Sequence, residues 1–188
     1  MEPSRDPVTM TLEAFADTVL PGVKRTADPD DDPAVAGVSD TPGAVEAGAL
    51  TLLFDPASGF AEGLPFLAPM LDGHAAKDAG ERDVALDATL PAFVALSYDD
   101  RAALLESLVA PGHPEREVWV GLFMFANMAF DSAAHLPTVQ AIAEGHPGLR
   151  AMGIATPDAD GLWRFPAYSY RRALADLHPD TTSSGSPA

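Results

Sequence analysis

Cysteine is absent from the 188 residues, which excludes disulfides, a thiolate nucleophile and any zinc or iron–sulfur site ligated by cysteine. Any redox chemistry therefore belongs to a partner or a cofactor. Basic residues are scarce: 11 lysines and arginines stand against 28 aspartates and glutamates, a formal net charge of -17. A surface of that sign repels phosphate backbones and anionic headgroups, so neither nucleic acid nor a membrane surface is expected as a partner. A glycine-rich phosphate loop, a GxSxG elbow and an HExxH pair are missing too. Ser132 and Ser169 lack surroundings that would activate them as nucleophiles. The N-terminus, MEPSRDPVTM, has neither the basic patch nor the apolar run of a signal peptide, and a cytoplasmic location is expected. The longest apolar run is broken at Asn127 and Asp131, short of the ~20 residues that a membrane span needs.

With 47% apolar residues the chain is rich enough to bury a full core. The expectation is one helical domain over residues 1–178, with an acidic loop at 23–40 and a disordered tail at 179–188. Leu12, Phe15, Ala16, Val19 and Leu20 mark the apolar stripe of a first helix, ended by Pro21 and Gly22. Residues 23–40 have no apolar period and place Asp28, Asp30, Asp31 and Asp32 between Pro29 and Pro33. A solvated loop is favoured over calcium there, because the glycine and closing acid of an EF-hand loop are missing.

Thr41 and Pro42 read as the N-cap and first residue of a thin second helix, whose small side chains let a neighbour approach closely. Leu64, Leu67, Met70 and Leu71 give a third helix that Pro65 and Pro69 should start or kink. Residues 83–93 read as extended, and Ser97 with Asp100 resembles a capping box opening a helix through Leu108. Pro114 then opens a long apolar central helix, about 114–135, followed by a short one over 138–144. The fold class is all-α: an irregular bundle around that central helix, with long loops. Gly112-His113-Pro114 and Gly145-His146-Pro147 both read as punctuation after helices, with structural or exposed histidines.

On the central helix Asn127, Asp131 and His135 recur every four residues and so fall on one line of an otherwise apolar surface. Buried polar groups need partners. A hydrogen-bond network that fixes helix packing is the favoured reading, and a site is the alternative. In the alternative, Asp131 and His135 form a catalytic acid/base pair and Asn127 orients substrate. Metal binding is not expected, since two ligands at this spacing do not make a site and nothing in the sequence brings His74 or Asp72 to them.

The segment GLWRFPAYSYRR near the C-terminus is the one basic and aromatic patch of the chain. Trp163, Arg164, Phe165, Tyr168 and Tyr170 are residue types that dominate binding hot spots, which marks them as a candidate partner surface. Packing of the same side chains back onto the helices is an equal reading.

Three stretches, TLEAFADTVLPG, FVALSYDDRAALLESL and EVWVGLFMFANMAFDSAAH, resemble the small-subunit family typified by gluconate 2-dehydrogenase subunit 3. The whole chain, including its endings DGLWRFPAYSY and HPDTTSSGSPA, is more closely similar to an actinobacterial family of unassigned function. The first resemblance implies a non-catalytic helical accessory subunit that binds no cofactor directly. Its partner would be the large subunit of a flavin-dependent oxidoreductase of the glucose-methanol-choline class, with FAD in that partner. Many such small subunits bear a twin-arginine export signal, which this sequence lacks, and the family supplies no catalytic residues. The alternative from the polar stripe is a cofactor-independent enzyme of specialised metabolism, with the Asp/His pair in a helical bundle pocket.

Overall fold

A computed structural model of the chain describes residues 6–26 and 32–154. These residues form eight α-helices and one 3-10 turn, with no strand among them. In order they are α1 (Pro7–Val19), α2 (Ala49–Phe54), the turn Pro56–Ser58, α3 (Leu64–Glu81), α4 (Ala92–Ala95), α5 (Tyr98–Val109), α6 (Arg116–Asp131), α7 (Thr138–Ala143) and α8 (Pro147–Ala151). The expected patch at Trp163, Arg164, Phe165, Tyr168 and Tyr170, the tail and Asp28, Asp30 and Asp31 lie outside the described residues.

The central element is α1 rather than α6. Asp6 caps α1 by accepting from the Thr9 amide, and Pro7 occupies the first turn, where its missing N–H costs nothing. Every residue from Thr11 to Thr18 is buried, so the polar side of this amphipathic helix is covered as well as the apolar one. Leu12 and Phe15 join the main core with Leu53, Leu64, Leu71, Phe93, Leu105 and Trp119, and Ala16 joins a second cluster with Leu52, Ala126 and Ala129. Helices α2 to α6 all pack against α1.

Covering the polar side requires partners for it, and the loop after α1 supplies them. Asp17 accepts from the backbone amides of Gly22 at 3.0 Å and Ala36 at 2.7 Å. Arg25 holds Asp32 through two hydrogen bonds, at 2.6 and 2.7 Å, and reaches Glu13 at 3.1 Å. The expectation of an exposed loop over 23–40 is thereby corrected: Asp32, Ala34 and Val35 are fully buried, drawn inward by charged partners that a search for apolar periodicity does not register.

Two helix boundaries differ from expectation. No helix begins at Thr41; residues 44–48 form turns and α2 starts at Ala49. A Cβ on Gly43 would lie 2.4 Å from the Leu20 carbonyl oxygen and 2.5 Å from the Gly22 amide, so the chain crosses the end of α1 too closely for a helix to start there. Gly48 adopts φ 85°, a left-handed conformation that sets the start of α2. Helix α2 lies along α6 and α1, although most of the small residues expected to allow such an approach fall in the turns before it.

The long helix expected over 114–135 is α6, which spans the 16 residues Arg116–Asp131 and is shorter than the 18-residue α3. Trp119, Leu122, Ala126 and Ala129 form its buried face, while Met124 is 57% exposed. Ala133, at φ 50°, turns the chain away, and the Ala134 amide closes on the Met128 carbonyl at 3.2 Å. Helix α8 went unanticipated because its single turn leaves no periodicity to read.

Candidate functional site

The end of α6 at Asp131 divides the expected polar stripe into three separate environments. Asn127, half-buried, donates from Nδ2 to the Phe123 carbonyl of its own helix at 2.9 Å. Asp131 is exposed at the helix end. His135 lies beyond the helix, where its ring packs on Gly48 and stands 5.6 Å, centroid to centroid, from the ring of His146. Asp131 and His135 are therefore not one turn apart on a common face, and the histidine partner of His135 comes from the second Gly-His-Pro punctuation.

A more organised arrangement forms where α3 meets the start of α6. Glu115, immediately before α6, accepts at Oε2 from His74 Nε2 at 2.8 Å and from Trp119 Nε1 at 3.0 Å. A carboxylate only accepts, so His74 carries a proton on Nε2, and in the neutral form of the ring its Nδ1 is the base. His113 accepts from the Glu115 amide at Nδ1, 3.2 Å away, which leaves its Nε2–H as a donor. The hydrogen bond from His74, followed by that from Trp119, holds the Glu115 carboxyl below its ordinary range. His74 and His113 share the wall of a cleft of about 190 Å³ with Lys77, Asp78 and Ser107, over a floor of Leu104 and Leu108.

The chemistry available there is that of a carboxylate-oriented imidazole: one base, one donor and a lysine within a small, half-open space. Ser107 is turned elsewhere, since its hydroxyl donates to the Leu104 carbonyl at 2.7 Å. Among the described residues no three histidine, aspartate or glutamate side chains are placed to hold a metal ion. The Glu115–His74 pairing spans 41 residues and leaves no local pattern. The i, i+4 relation of Glu115 to Trp119 is the only part of it that the sequence displays.

The buried charges elsewhere belong to the fold. Arg101, 3% exposed, donates to the carbonyls of Pro33, Ala34, Phe93, Val94 and Leu96. Burial lowers its guanidinium to about 10, against the opposing charge of Asp17, so it stays protonated at neutral pH. Asp72 accepts from the Thr11 hydroxyl at 3.0 Å and the Phe93 amide at 2.9 Å, and burial raises its carboxyl despite those bonds.

Among the described residues the fold and these sites define an all-helical protein whose first helix is buried from Thr11 to Thr18 and which carries a histidine–glutamate cleft. The chain matches a family of unknown function (DUF5987) over residues 6–188 and belongs to that family. No curated protein and no solved structure matches it significantly. No described helix is long and apolar enough to cross a membrane.

Proposed function

We propose that the protein is a non-catalytic helical accessory subunit of a flavin-dependent oxidoreductase of the glucose-methanol-choline class. The observation that carries this reading is the placement of the three stretches that resemble the gluconate 2-dehydrogenase small subunit. They become α1, α4 with α5, and α6, and α1 packs directly against each of the other three helices. The resemblance thus falls on one contiguous unit of structure rather than on scattered surface segments. The burial of charged side chains inside that unit, Asp17 and Arg101, accords with a scaffold role. FAD belongs to the partner in this reading, and Trp163, Arg164, Phe165, Tyr168 and Tyr170 form its contact surface.

The test is recovery of the tagged full-length protein from its native host, with mass spectrometry and an absorbance spectrum of the eluate. A yellow complex containing a stoichiometric large oxidoreductase subunit is expected, and Trp163→Ala should reduce its yield without changing the circular dichroism. A colourless protein recovered alone would reject the accessory role.

A second reading has its own observation, the Glu115–His74 pair opening into the cleft. Here the protein is a cofactor-independent enzyme and His74 is the general base, with Glu115 orienting it. Asp131, His135 and Asn127 are the residues the sequence offers for this role; Asn127 donates within its own helix, Asp131 is exposed at the end of α6 and His135 lies beyond it.

A further inference from the structure

Helices α7 and α8 form an arm with little core of its own. Its buried apolar residues are Ala133, Ala141 and Leu149, a cluster separate from the main core. Two contacts fix the arm to the rest of the bundle. One is steric: Gly148 lies so close to the end of α6 that a Cβ there would fall 2.1 Å from the Phe130 carbonyl oxygen. The other is His146, 6% exposed, which bridges the arm and the turn before α2.

The partners of His146 fix the tautomer of its neutral ring. Its Nε2 faces the Ala47 carbonyl at 3.0 Å, which accepts only, so Nε2 carries the hydrogen. Its Nδ1 accepts from the Leu149 amide at 3.4 Å and caps α8. A second proton at Nδ1 would set an N–H against the Leu149 N–H and remove the cap. His135 stands against this ring at 5.6 Å, with its own Nδ1 buried and unpartnered. It rests on Gly48, where a Cβ would come within 2.5 Å of its Nε2.

No carboxylate is hydrogen-bonded to either ring among the described residues. On the surrounding elements, Glu46 accepts from the Gly43 amide and Glu144 from Gln140, while Asp131 and Arg150 are exposed. A positive charge on either imidazole therefore faces a second imidazole and gains no hydrogen bond to a carboxylate.

We propose that His135 and His146 form a proton-operated latch that holds the α7–α8 arm against the turn before α2 when both rings are neutral and releases it when they are protonated. Burial, with the neighbouring His146, depresses His135. A histidine that binds its proton less readily when folded contributes stability above its unfolded value, near 6.5, and loses it as the pH falls. Opening is accordingly expected on the acid side of neutrality. It is local, because the main core lies in another cluster.

Hydrogen exchange of the full chain at about pH 7.5 and about pH 5.5, corrected for the chemical effect of pH on exchange, tests the latch. Amides of residues 138–151 are expected to lose at least about tenfold in protection at the lower pH, while those of α1, α3 and α5 keep theirs. The variant His135→Gln/His146→Asn keeps a capping oxygen at position 146 but has no imidazole to titrate, and its arm should respond equally at both pH values. Equal protection of the wild-type arm at both pH values overturns the proposal, as does an undiminished pH response in the variant. Should the variant not fold, NMR titration of the wild-type histidine ring protons replaces it. Arm opening must then share its midpoint with His135 or His146, and a midpoint belonging to neither overturns the latch.

Discussion

Arg101 ties the loop after α1 and the short helix α4 to α5. Its guanidinium spreads five hydrogen bonds over two segments, the loop residues 33–34 and residues 93–96 at the end of the short α4. An arginine suits this position because its planar fork presents several donors in fixed directions, whereas a lysine offers one ammonium point. Arg101→Met would keep much of the volume and leave those carbonyls buried without donors. The expected loss is roughly 3–5 kcal/mol, read from the urea midpoint, and Arg101→Lys should recover only a minor part of it. The motif DDRAALLESL gives no hint of this role, because an arginine on an amphipathic helix is ordinarily a solvated one. Only the distant carbonyls distinguish it, and those lie as many as 68 residues away in sequence.

At the scale of elements, Glu115 acts as a clasp between α3 and α6. Trp119 is fully buried, and Glu115 is the acceptor for its indole N–H. Glu115→Ala should therefore cost about 1–3 kcal/mol by orphaning that group, while Glu115→Gln, which retains an acceptor oxygen, should cost less. Thermal unfolding of the two variants beside the wild type separates these outcomes; equal losses would mean that the carboxylate charge, not its acceptor geometry, holds the clasp. The elements themselves were legible in the sequence where local chemistry sets them. Ser97 caps α5 by accepting from the Asp100 amide, and its hydroxyl donates to the Asp100 carboxylate, as the spacing implied. The first helix likewise follows its apolar stripe. Legibility failed where the backbone answers to a neighbour in space: the left-handed turn at Ala133 that shortens α6, and the glycine crossing that delays α2. The candidate cleft was hidden for the same reason, since His74 and Glu115 come from different helices.

At the scale of the whole molecule, the charge of -17 is unevenly answered. Several cations are committed to specific contacts: Arg25 to Glu13 and Asp32, and Arg82 to Asp78 and Asp100. The remaining excess of negative charge repels itself across a surface where the screening length is about 10 Å at 0.1 M salt. Raising sodium chloride from about 0.01 M to about 0.3 M should therefore raise the melting temperature. A melting temperature that falls with salt would mean that surface ion pairs outweigh the net repulsion. The same charge gives a partner with a basic face an electrostatic advantage in encounter rate, and association with it should weaken as salt rises.

The burial of Thr11–Thr18 within α1 also bears on how the chain is made. This helix leaves the ribosome before the surfaces that cover it, which come from α2 to α6, the last of which ends at Asp131. During translation its apolar and charged faces wait, unsatisfied, until more than a hundred further residues have emerged. The enclosure of α1 therefore comes late, after the last of the helices that cover it has been made.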